Sequence, residues 1–168
     1  MVASDLGLGP WEVLHQGVSF HTPIPIGTVG ILTGLAVLLL WLPLRERYGL
    51  GTALNVVLIG IVIDVTLIWL TTPGLTALRW VYMLGGIVLV GIGSGYYIGS
   101  GLGPGPRDGL MTGIARRGYP IGLVRTSIEL TALFGGWLLG GTVGIGTVLF
   151  AFGIGPLVQL FLPRLTVE

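Results

Sequence analysis

Long apolar runs dominate the chain, broken at a few joints that carry glycine, proline and arginine. Five runs have the size of a membrane crossing: approximately 24–44, 50–70, 80–99, 121–140 and 145–162. About 20 mostly apolar residues cover a hydrocarbon core about 30 Å thick, so each predicts a transmembrane helix. The last two are divided by the turn Gly140-Gly141-Thr142-Val143-Gly144. Two further helical segments, 10–20 and 106–117, open on Pro10 and Pro106 just after a glycine. Proline fits a first helical turn, where its missing N–H costs nothing, but these helices are too short to span. They read as half-helices, either re-entrant or lying at the interface. The first long run lacks a basic leader and is too long for a cleavable signal, so all five are expected to stay in the mature protein.

Composition agrees with that pattern. Hydrophobic residues make up 52% of the 168, a further 31 are glycine, and only 9% are charged, against about 25% charged in a soluble domain. One core of this length has no room for so much apolar surface, which excludes a soluble fold. There is no cysteine, hence no disulfide scaffold, thiol nucleophile or Cys-based metal centre. The net charge of +1 leaves no basic face for nucleic acid. The reading is therefore an all-α, polytopic membrane protein with five transmembrane helices and two half-helices.

All eight basic residues are arginine, and arginine-rich short loops stay cytoplasmic. Alternate loops place Arg45, Arg47, Arg107, Arg116, Arg117 and Arg164 on one side and Arg79 at the other boundary. The amino terminus is expected outside and the carboxyl terminus in the cytoplasm.

The sequence also matches itself at a constant offset. Pro25-Ile26-Gly27 returns as Pro120-Ile121-Gly122, and Gly49-Leu50-Gly51-Thr52 as Gly144-Ile145-Gly146-Thr147. With a one-residue slip, Gly7-Leu8-Gly9-Pro10-Trp11-Glu12 aligns with Gly103-Pro104-Gly105-Pro106-Arg107-Asp108. This predicts one membrane domain over 1–168, built of repeat one, 7–70, and repeat two, 80–163. The arginine pattern puts the copies in opposite membrane orientations, an inverted repeat of the kind common in secondary transporters. The run 80–99 leads repeat two and has no counterpart in repeat one. Either the chain is a five-helix form, or the native protein has a sixth, leading helix and a cytoplasmic amino terminus; the second is expected.

Few residues offer chemistry. Glu12 and Asp108 fall in the first turns of the half-helices, where the macrodipole favours a carboxylate. One reading is simple helix initiation; the other is a solute site at each mouth of the protein, with Arg107 altering the charge of the inner one. Arg125 and Glu129 stand four residues apart on one helix face, with Glu129 near mid-membrane, where a charge is paired, neutral or functional. They share that face with Gly122, Ala132, Gly136 and Gly140, so the pair is either packing glue or a solute and proton site. Asp64 lies about six residues from the outer end of its span, and its spacing from Gly60 turns it toward protein. The proposed centre is Glu129 and Arg125 facing the bundle with Asp64, Glu12 and Asp108. His15 and His21, six residues apart with no third ligand, do not make a metal site. The glycines at 91, 95 and 99 predict close helix packing.

The segments 7–17, 103–111 (with Gly-Pro-Arg-Asp-Gly-Leu-Met), 125–129 and 140–147 and the pair Gly155-Pro156 resemble the YczE-like bacterial membrane proteins, related in style to the YitT group. The resemblance covers nearly the whole chain. It implies a helical membrane fold, a place in the bacterial cell membrane and a leading helix that this chain lacks, and it brings no substrate or catalytic residue. The expected function is transporter-like, binding or moving a small solute at the interface of two inverted repeats. The alternative is a non-transporting component, an assembly factor or the substrate-capturing subunit of an importer. No enzymatic activity, cofactor, metal or nucleic-acid partner is expected. The partners are the bilayer and a small solute, with a homo-oligomer or a partner membrane subunit left open.

Overall fold

A computed structural model describes residues 1–165, with side chains through Phe161; the side chain of Arg164, used above for orientation, lies outside the described residues. A short 3-10 turn, Val2–Ser4, precedes seven helices: α1 Pro10–Phe20, α2 Ile26–Leu44, α3 Leu50–Trp69, α4 Thr76–Gly99, α5 Pro106–Ala115, α6 Ile121–Leu138 and α7 Ile145–Leu165. The described residues contain no strand, as a bilayer requires of an unclosed backbone.

Local chemistry sets the boundaries. Pro10 and Pro106 start α1 and α5 behind Gly9 and Gly105, whose extended backbones cap them. Pro43 is tolerated in the last turn of α2, and Arg45 ends that helix in the left-handed region. The helix α4 starts at Thr76, ahead of the expected 80, and takes in Arg79, whose Nε donates to the Pro73 carbonyl at 2.9 Å.

Among the described residues α2, α3 and α4 are long and apolar enough to cross a membrane by length and composition, and Ile145–Phe161 of α7 is a shorter apolar stretch. The α6 helix has 18 residues and carries Arg125 and Glu129, which sets it apart from the other expected spans.

The helices pack mainly in pairs: α4 on α7, α1 on α6, and α2 on both α3 and α5. Small residues make close approach feasible, as expected where hydrocarbon gives helices no hydrophobic drive to associate. Gly91 sits against Leu157, Gly17 against Leu139 and Gly113 against Leu44. The last two contacts correspond to each other under the internal match, which pairs Gly17 with Gly113 and Leu44 with Leu139. A small core of Trp11, Val37, Leu110 and Ala132 lies midway along α2 and α6.

A clasped pair of short helices as the candidate functional site

Each Gly-x-Gly-Pro loop is held by a Gly-x-Gly-Thr motif distant from it in sequence. Leu6 accepts at its carbonyl from the Gly146 N–H (2.7 Å), and the Leu8 N–H donates to Thr147 Oγ1 (3.2 Å). In the second clasp Leu102 accepts from the Gly51 N–H (3.0 Å), and Thr52 Oγ1 donates to the Pro104 carbonyl (2.7 Å). The hydroxyl reverses its role because Pro104, standing where the first loop has Leu8, has no N–H to give. Gly7 and Gly103 both adopt φ of +118°, which a side chain strongly disfavours. Thr52 and Thr147 are buried, so these hydroxyls satisfy backbone that water does not reach.

The clasps bring the first turns of α1 and α5 together. Nη1 and Nη2 of Arg107 each lie 3.2 Å from Glu12 Oε1, and the guanidinium stacks over the Trp11 ring at 4.9 Å. The first turns of the two short helices thus meet each other instead of standing apart at separate mouths. Trp11 and Arg107 each follow the proline of a Gly-x-Gly-Pro motif, and here they touch. The Trp11 Nε1 and His15 Nε2 atoms are buried with no hydrogen-bond partner among the described residues. Trp11 also lines a groove of about 490 Å³, with Leu14, Ser127, Ile128, Thr131, Ala132 and Gly135.

The helices α1 and α5 are too short to be membrane-spanning segments themselves, and their electrostatics follow from the pair. Burial pushes the Glu12 carboxyl up, but Arg107, His15 and the carboxyl's hydrogen bonds outweigh it and hold the group below the usual carboxylate range. Burial first and the Arg107 charge second push His15 down to about 4, against the opposing pull of Glu12. His15 is therefore neutral at pH 7.

The other candidate residues fall elsewhere. Asp108 is exposed and accepts from the Tyr97 hydroxyl at 3.2 Å. Asp64 caps the start of α2, accepting from the N–H groups of Gly27 (2.6 Å) and Thr28 (2.8 Å) and from the Thr28 hydroxyl (2.7 Å). Arg125 and Glu129 form the expected ion pair at 3.0 Å, with side chains 54% and 31% exposed, and among the described residues no hydrogen bond or ion pair joins them to Asp64, Glu12 or Asp108. The α6 face foreseen as one buried stripe is split, because Ala132 and Gly136 pack inward while Gly122 and Arg125 stand exposed. His21 is exposed at the end of α1, away from buried His15.

Four further residues take roles that the sequence did not announce. Trp41 is fully buried and donates from Nε1 to the Pro106 carbonyl at 3.0 Å, holding α5 on α2. The hydroxyls of Thr52 and Thr147 were visible only as a repeated motif. Glu46 meets Arg116 at 3.0 Å, where Arg117 also donates to the Pro43 carbonyl (2.8 Å), so the arginines of the α2–α3 and α5–α6 joints gather at one end.

Comparison with known proteins places this architecture. Residues 1–163 match the model of the family of unknown function DUF6198, and the chain belongs to that family. It is 46% identical over 163 residues to an uncharacterised protein of Haemophilus influenzae, covering 96% of this chain and 75% of that one. It is 38% identical over 162 residues to the uncharacterised membrane protein YczE of Bacillus subtilis, covering 95% and 75%. No solved structure matches the chain.

Proposed function

We propose that this member of the DUF6198 family is a transporter-like protein of the bacterial cell membrane that binds a small solute where its two short helices meet. The observation that carries this reading is the Glu12–Arg107 ion pair, formed across 95 residues of sequence. Both partners belong to first turns of helices too short to cross a bilayer. Ionisable groups deep in a membrane protein are costly and cluster on substrate paths, and broken helices enclose the solute in many transporters. The two matching clasps and the contact between equivalent residues Trp11 and Arg107 support a two-fold relation between 7–70 and 80–163. The gathered arginines support a cytoplasmic location for that end, with the copies oppositely oriented. The reading involves no catalysed reaction and no cofactor.

Two measurements test it. Purified protein is screened by melting temperature against a broad metabolite panel, and each stabilising compound is then offered to proteoliposomes containing only this protein under an imposed gradient. The expected result is stabilisation and uptake of the same compound. Stabilisation without uptake makes the chain a capture subunit that needs an energising partner, and no stabilisation by any compound turns the reading to an assembly role. Orientation is checked in the cysteine-free background: Arg47→Cys should be labelled only from the cytoplasm and Gly74→Cys from outside.

A further inference from the structure

We infer that the centre between α1 and α5 takes a zwitterionic solute, its anionic group on Arg107, its cationic group on Glu12 and its apolar body in the groove lined by Trp11. This deepens the solute-binding reading above and rests on it.

Charge balance is the first argument. The pair is partly buried, with side chains 38% and 26% exposed, and removing one partner from such a pair leaves a charge that is only partly compensated by solvent. An anion that captures Arg107 strands Glu12, and a cation that captures Glu12 strands Arg107. A solute carrying both signs replaces each partner for the other and strands neither.

The geometry of the pair is the second. Both guanidinium nitrogens converge on a single carboxylate oxygen at 3.2 Å, long for a charge-assisted bond, where about 2.7–2.9 Å is usual and a parallel two-oxygen fork is the strong form. Glu12 therefore holds Arg107 loosely, whereas the Trp11 ring beneath the guanidinium keeps it in place by cation–π attraction when the carboxylate is exchanged. The clasps of Gly7 and Gly103 fix both loops before any solute arrives, so little ordering is left for binding to offset.

The third argument is unspent hydrogen-bonding capacity. Trp11 is 8% exposed and His15 4% exposed, and neither Trp11 Nε1 nor His15 Nε2 meets a partner among the described residues. Buried polar atoms are nearly always satisfied. Trp11 also forms a wall of the groove, where Leu14, Ile128 and Ala132 offer apolar contact and Ser127 offers a hydroxyl, while Thr131 already donates its own to the Ser127 carbonyl at 2.7 Å. One indole thus touches both the charged centre and the apolar groove, which suits a solute with a charged head of both signs and an apolar body.

The test uses the full chain in lipid nanodiscs with three sets of probes: L-leucine, L-phenylalanine and glycine betaine as zwitterions, leucinamide and phenylalaninamide as cations, and N-acetyl-leucine and N-acetyl-phenylalanine as anions. Calorimetry should show at least one zwitterion binding at least tenfold more tightly than its singly charged analogues. Glu12→Gln and Arg107→Gln should each weaken that binding at least tenfold. The double variant Glu12→Gln/Arg107→Gln removes both charges together, so it should melt near wild type and still fail to bind, separating solute recognition from a structural ion pair. Equal binding of zwitterions and singly charged analogues, or zwitterion binding that survives in the double variant, overturns the inference. A singly charged or neutral metabolite that stabilises the protein in the broad panel, with no zwitterion binding, overturns the inference while leaving the solute-binding reading intact. No binding by any of the probes or by any compound of the broad panel overturns both.

Discussion

Thr28 gives both its backbone N–H and its hydroxyl to one oxygen of Asp64, at 2.8 and 2.7 Å. An acid in the second long helix thereby satisfies N–H groups that the start of α2 leaves without intrahelical partners. Asp64→Ala should destabilise the protein by about 2–3 kcal/mol, the scale of losing hydrogen bonds to a charged acceptor. Asp64→Asn, which keeps one acceptor oxygen, should cost less. Melting curves of the purified variants check the order, and an Asp64→Ala protein as stable as wild type would refute the capping role.

The two clasps should contribute independently. Thr52→Val and Thr147→Val keep side-chain shape and remove the hydroxyl, each at about 1–3 kcal/mol for the backbone group left unsatisfied. The threonines share no hydrogen-bond partner, so the double variant should lose the sum within roughly 0.5 kcal/mol. Denaturant titration of the four proteins measures the cycle, and strong coupling would mean that the loops move as one unit.

His15 predicts an acid-sensitive fold. Its folded value of about 4 lies below the ordinary 6.5, so its stabilising contribution is present in full above about pH 6.5. As pH falls toward 4 the unfolded chain takes up the proton first and that contribution, on the order of 3 kcal/mol for a buried imidazole, is lost. The charged groups that act on it are Arg107 and Glu12; the lowered Glu12 value adds a further loss below the ordinary carboxylate range. His15→Gln should flatten the dependence of melting temperature on pH between 6.5 and 4 and leave the acid limb from Glu12.

The Arg125–Glu129 pair separates packing from function by comparing Glu129→Gln with the double change Arg125→Gln/Glu129→Gln. A four-residue pair on an exposed face should behave structurally, because the single change leaves an unpaired arginine in a membrane helix. Reduced membrane abundance in the single variant, restored in the double, is the expected outcome. Normal abundance with lost solute binding in Glu129→Gln would instead make the carboxylate part of the site.

Sequence alone was sufficient for the membrane class, for the existence of α1 to α7 and for most of their ends. Apolar run length is read against bilayer thickness, and Pro10, Pro106 and Pro120 punctuate helices through local sterics that need no tertiary contact. The same local information exposed the recurrence of Gly-x-Gly-Pro and Gly-x-Gly-Thr. It also turned Asp64 toward protein through its spacing from Gly60.

Partner choice was decided by tertiary structure. Nothing local in the first loop announces that Leu8 will donate to Thr147 or that Glu12 will meet Arg107, because each pairing spans 95 residues or more and depends on how α1 lies on α6 and α5 on α2. The helix wheel treated 122, 125, 129, 132 and 136 as one face, yet α1 covers only the part carrying Ala132 and Gly136, leaving Arg125 and Glu129 to pair with each other. Periodicity reports which side of a helix is apolar or small. Which neighbour covers that side, and which charge a buried acid then meets, follows from the packing of whole helices.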